Sequence, residues 1–209
     1  VAARCDFEIV NDGKADVARQ VNLLLERVEE WRKAAEKDWS RVRLHQKEKN
    51  NQWKIKENIT KNFIECMIPH HKAAICISEN ILQYVEYEPI KDIANNIIKI
   101  QTDEKRRMNE INDITNGYDN SQKDIRCYRE KYFDIVNLML YKMKRSPRSL
   151  NICINYINEM MHHHEGAINM CENLLAYYID PRIKDVAESM IKNQKEEVNE
   201  YKKMISKLY

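Results

Sequence analysis

The chain repeats itself. Residues 62–108 and 155–201 align without a gap at an offset of 93 residues, with 19 identities in 47 positions. The identities run from Asn62/Asn155 and Ile64/Ile157 through to Gln101/Gln194 and Glu104/Glu197. Each copy holds two apolar-periodic stretches around a short connection, Tyr87–Pro89 in the first and "IDPR" (Ile179–Arg182) in the second. Two helices joined by a short turn form a hairpin, and one hairpin cannot bury its apolar face alone. Two copies packed together can, which predicts an antiparallel four-helix bundle.

Composition points the same way. The 209 residues include only three Gly and four Pro, whereas Lys, Glu, Asn, Ile, Leu and Met are abundant. That is helical usage, poor in the turn residues that an all-β fold needs. The fold class expected is therefore all-α. A net charge of +2 gives no strong field towards nucleic acid or an acidic membrane. The basic runs Lys105–Arg107 and Lys142–Arg148 read as solvated helix faces and ends. No stretch is apolar for long enough to span a bilayer, and the opening "VAARCDFEIVNDGKAD" shows none of the regions of a signal peptide. Six cysteines occur without any CxxC pair, which argues against a structural zinc site. Their wide spacing within helical patterns predicts buried or free thiols, with disulfides, including ones between chains, left open.

Four regions follow along the chain. In residues 1–52, Val17, Val21, Leu24, Val28, Trp31 and Ala35 recur at alternating spacings of four and three. This heptad-like seam predicts a long amphipathic interaction helix from about residue 14 to about 48. Residues 53–114 form the first hairpin, with helices from Trp53 to Val85 and from Pro89 to Ile114. Residues 115–146 hold the "TNGYDNS" loop and a middle helix from about Ser121 to Arg145. Residues 147–209 form the second hairpin. Its first helix is expected to be capped by Ser146, to open at Pro147 and to reach Tyr178, and its second to start at Asp180–Pro181.

The chemistry is concentrated in "MIPHHKAAI" (Met67–Ile75) and "MMHHHEGAI" (Met160–Ile168), which hold five of the six histidines. On a helix each residue turns by about 100°. With Met67 at zero, His70 falls at about −60°, His71 at about +40° and Ala74 at about −20°, all on one face. One thioether and two imidazoles beside a small residue make a soft-to-borderline metal site. Met160, His163 and His164 repeat it, whereas His162 falls on the far side of its helix. On the partner helix Met108 and Gln101 share a stripe with Glu104 beside them, which offers a further ligand or a supporting carboxylate. A lone buried His beside Met is ordinarily core packing; the matched pair of clusters is what favours metal. A di-iron centre would need Glu-x-x-His from both halves, and the first copy has Cys66 where the second has Glu159. The same mismatch argues against a Cys66–His70 nucleophile, so no enzyme is expected.

"FIECMIPHHKAAI" followed by "IANNIIKIQTDEKRRM", and again "YINEMMHHHEGAI" with "VAESMIKNQKEEVNEY", resemble the domain-of-unknown-function family 305. The pattern is Met-Ile-Pro-His-His-x-x-Ala-Ile, then Ile-Ile-x-x-Gln-x-x-Glu-x-x-x-Met. The resemblance covers residues 62–108 and 155–201, about half the chain. It implies a ferritin-like four-helix architecture and a bacterial protein, exported or placed in the cell envelope or coat. Copper-binding, CopM-type members of the family use Met and His. Carried over, the matching metal positions are Met67, His70, His71 and Met108, then Met160, His163 and His164. Two positions depart from the pattern: His162 stands in place of Pro, and Tyr201 in place of the late Met, with Met204 one turn further on.

The function expected is non-enzymatic metal binding for storage, buffering or resistance. Copper is the first choice of metal, and zinc or another divalent ion the second. The alternative is a structural or assembly protein of a coat or envelope, joined through the N-terminal seam to copies of itself or to a coat partner. Pro69 is expected to kink the first motif helix and so to make two inequivalent sites, the first the more selective for Cu(I).

Overall fold

The computed structural model describes residues 58–147, 149 and 151–208. The N-terminal seam around Trp31 lies outside the described residues. Those described form five helices: α1 (Ile59–Ile81), α2 (Glu88–Ile114), α3 (Gln122–Arg145), α4 (Ile152–Leu174) and α5 (Pro181–Leu208). No strand occurs among the described residues, and the chain is all-α.

Local chemistry sets the helix ends. Asn58 opens α1 by accepting a hydrogen bond from the Lys61 N–H at 3.1 Å. Asn151 does the same for α4 from Cys153, at 2.9 Å. These two asparagines stand 93 residues apart, so the repeat extends to the caps. Ser121 caps α3 through the Asp124 N–H. Pro89 sits in the first turn of α2, where its missing N–H costs nothing. Asp180 opens α5: its carboxylate accepts from the Arg182 N–H at 2.9 Å, and the Arg182 guanidinium folds back onto it.

Four boundaries differ from the sequence expectation. α1 opens at Ile59, behind the extended Asn58 cap, where the sequence pattern started it at Trp53. Ser146 closes α3, its N–H bonded to the Met143 carbonyl, and does not open α4. The opening falls to Asn151, whose longer side chain reaches the second N–H of the helix. α1 ends at Ile81 and α4 at Leu174, each a few residues early. In both, the capping leucine, Leu82 or Leu175, turns the chain with its N–H bonded back into the last turn.

α1 packs against α2, and α4 against α5, as two hairpins. α1 also meets α4, and α2 meets α5, so the four helices close a ring. α3 lies outside this ring against α4. α4 is therefore covered on three sides and buries residues nearly all round, whereas α1 leaves Glu65, Pro69, Lys72 and Glu79 exposed. Pro69 lies within α1, and the helix continues through it as one element.

At one end of the bundle Ala74, Ile81, Ile90, Ala94 and Ile97 pack with Tyr156, Ile157, Met160 and Tyr201, and Met204 lies against them. The opposite end is tied by polar contacts. Asn120 accepts from the Ile59 N–H and donates to the Tyr178 carbonyl, each at 2.8 Å. Thr60 accepts from the Asp180 N–H, and the Thr115 hydroxyl lies 3.0 Å from the Asp180 carboxylate. One asparagine thus joins the start of α1 to the turn between α4 and α5. No helix among the described residues is long and apolar enough to cross a membrane.

Candidate metal centre

The two motif helices meet at their histidines. The rings of His70 on α1 and His163 on α4 lie 3.6 Å apart between centroids, tilted by 31°. These are equivalent residues of the two copies, so the contact falls where the pseudo-two-fold relation between the hairpins brings a position against itself. His71 and His164 flank the pair, with ring centroids 6.3 Å and 6.1 Å from their neighbours. All four imidazoles are buried, as are Met67, Met160 and Met108. The helical face expected from Met67, His70, His71 and Ala74 is the face turned inward. The two clusters expected as separate sites converge on one place, and Pro69, exposed on the outer side of α1, does not prevent it.

Glu104 of α2 and Glu197 of α5 complete the arrangement. A Glu104 carboxylate oxygen lies 2.9 Å from His71 Nε2, and one from Glu197 lies 2.8 Å from His164 Nε2. A carboxylate accepts, so Nε2 of each ring carries a proton, and in the neutral ring the lone pair then falls to Nδ1. Nδ1 of His71 and of His164 is buried without a hydrogen-bond partner, and so are both nitrogens of His70 and of His163. The side-chain oxygens of Gln101 and Gln194, another repeat pair, are buried and unpartnered too. Unpaired buried polar atoms each cost about 1–3 kcal/mol, and six such ring nitrogens gather at this one place. Burial, reinforced by the neighbouring imidazoles, holds the His70 and His163 rings well below the usual histidine range. They are therefore neutral, the form that donates a lone pair.

These residues fit a soft metal. Thioether and neutral imidazole together suit copper, and imidazole alone also suits zinc or nickel. The described residues contain no group of three or more His, Cys, Asp or Glu side chains arranged to hold a metal ion. The carboxylates face the outer nitrogens of His71 and His164, as supports behind ligands do. The donors left to a metal are the free ring nitrogens and the thioethers.

The two halves differ at the late position of the motif. Met108 is fully buried on α2. Its counterpart Tyr201 on α5 places its hydroxyl 3.4 Å from His164 Nε2, with its ring against the imidazole. Met204 is only partly buried and packs on the apolar end beside Tyr201. His162 stays outside the cluster, as its angular position requires, with Nδ1 3.5 Å from Glu165. Sequence spacing sets Glu104 beside the site and Tyr201 at the late motif position, but does not by itself bring Glu197 to the site. The offset of 93 residues was the signal for Glu197, because it maps Glu104 onto Glu197.

A bundle of two tandem hairpins, with matched histidine pairs meeting at its centre, is a recognisable class of helical protein. The family model described as "Domain of unknown function (DUF305)" matches residues 19–112 and 146–205, and the chain belongs to that family. The match begins at residue 19, so it takes in most of the N-terminal segment that the motif alone left out. Among solved structures, one described as "CopM in the Cu(II)-bound form" is similar. Its TM-score is 0.54 at 24% identity, over 72% of this chain and 97% of that one. A DUF305 fragment from Deinococcus radiodurans aligns with a TM-score of 0.51 at 16% identity, over 71% and 96% of the two chains. At these identities the likeness is one of fold. No curated protein matches the sequence.

Proposed function

We propose that the protein binds copper without catalysing a reaction, and serves in its storage, buffering or resistance. The observation that carries this reading is the set of six unpartnered ring nitrogens on His70, His71, His163 and His164, gathered from both repeats in a buried place. Met67 and Met160, one turn before the histidines on the same helices, supply the soft donors, and Met108 stands one turn beyond Glu104. Those thioethers favour Cu(I) over Zn(II). A similar fold carrying copper, in the structure described as Cu(II)-bound CopM, adds support.

The test is competition against a Cu(I)-selective chelator, with protein purified without a metal-affinity column. Micromolar or tighter binding is expected, stronger for Cu(I) than for Zn(II). Changing His70 and His71 to Ala, or His163 and His164 to Ala, should weaken binding in either case, because the centre draws on both repeats. Binding that survives when all four are Ala would remove the proposed ligands.

A further inference from the structure

Glu104 and Glu197 do more than hold two rings in place. Their carboxylates are among the few charged groups at the buried centre, with side chains 7% and 14% exposed against imidazoles at 0%. Among the described residues no Lys or Arg pairs with either. A carboxylate in so dry a place is costly unless positive charge meets it, and a cation bound there alone would be equally costly. The repeat supplies the carboxylates one per half, each on a different imidazole, with one thioether per half from Met67 and Met160.

We propose that Glu104 and Glu197 are charge-setting residues, each the counter-charge for one monovalent ion held at the imidazole it supports, so that the centre loads two Cu(I) ions per chain. The inference rests on the copper reading above. Loading puts one positive charge on the Nδ1 side of His71 and of His164, while the Nε2 proton stays on the ring and is donated to the carboxylate. Each half is then neutral overall. Two monovalent ions match the two carboxylates one for one. Monovalent copper also accepts low coordination numbers, which suits a cluster whose carboxylates are spent behind the rings.

The experiment is an anaerobic Cu(I) titration of the full chain, read as ions bound per chain, on the wild type and on Glu104→Gln, Glu197→Gln and the double variant. Glutamine keeps an acceptor for the Nε2 proton and removes only the charge. Nitrogen-15 NMR of the imidazoles checks that the protonation pattern survives, and circular dichroism that the helices do. The wild type should take up two ions. Each single variant should lose one of them, with affinity for that ion down about 10–100-fold, and the double variant should lose both. One ion per chain in the wild type overturns the inference whatever the variants do, and so does full loading of the double variant at wild-type affinity. Either result leaves copper binding itself intact, whereas a wild type that takes up no copper removes both readings.

Discussion

Ser78 and Tyr156 show at the scale of single residues what the repeat keeps and what it exchanges. Their hydroxyl oxygens meet at 2.9 Å in the core between α1 and α4. Across the pseudo-two-fold relation the equivalent pair is Cys171 and Phe63, both buried, and the Cys171 thiol instead lies 3.8 Å from the Met190 sulfur. One contact between the halves satisfies a polar pair where its pseudo-symmetric counterpart has none to satisfy. Ser78→Ala alone should therefore strand the Tyr156 hydroxyl and cost about 1–3 kcal/mol in chemical denaturation. Adding Tyr156→Phe should recover much of that loss. A second expectation concerns acid. His70 and His163 resist protonation in the folded protein, because burial and the adjacent imidazoles disfavour the charge. In the unfolded chain they titrate near 6.5. Above that pH both states are neutral and the pair has no effect. Below it the unfolded state takes up protons the folded state refuses, so stability falls by up to about 1.4 kcal/mol per pH unit per histidine. Melting temperatures of the metal-free protein should drop between pH 7 and pH 5, and His70→Leu with His163→Leu should flatten that slope. The inward face of Met67, His70 and His71 was legible in the sequence because angular position on a helix follows from spacing. The contact between His70 and His163 was not, because spacing along one helix says nothing of where another crosses it.

Between elements, α3 approaches α4 closely at Gly166. A Cβ built there would stand 2.8 Å from Met139 Cγ and 3.2 Å from its Cβ, too near for the methionine to escape by moving its tip alone. Gly166→Ala should destabilise by about 1–3 kcal/mol despite the better helix propensity of alanine, and Met139→Ala in the same chain should relieve part of the loss. The first copy has Ala73 at this position, so the glycine belongs to the contact with α3 and not to the motif. Helix starts respond to simpler chemistry. Asn151→Ala should cost about 1 kcal/mol through loss of the α4 cap, while Ser146→Ala should leave α4 unaffected. The sequence pointed to Ser146 because serine followed by proline is a common opening. It missed Asn151 because capping depends on which side chain actually meets the free N–H groups, and Asn58 and Asn151, which share the repeat offset, lie just outside the aligned residues 62–108 and 155–201. The ends at Ile114, Arg145 and Pro181 fall where loop residues and proline leave the backbone little choice.

For the whole molecule, the ring of four helices makes each hairpin depend on the other. Residues 147–209 produced alone should show weak helical dichroism and no cooperative melt, or associate in pairs, whereas the full chain should unfold in one transition. The four-helix plan was legible because the repeat demands a second apolar face. The seating of α3 against α4 was not, since nothing in its own pattern names the helix it covers. The pseudo-two-fold relation that brings His70 onto His163 has a consequence for how such a molecule can change over generations. If one hairpin paired with an identical copy, every substitution would appear twice across the axis, and a change that helps one side would be imposed on the other. A covalent link removes that restriction and keeps the partner at high local concentration. Met108 opposite Tyr201, Pro69 opposite His162 and Ser78 opposite Cys171 are differences of the kind only a linked pair can hold. Joining the hairpins lets one half drift towards new ligands while its twin preserves the old ones.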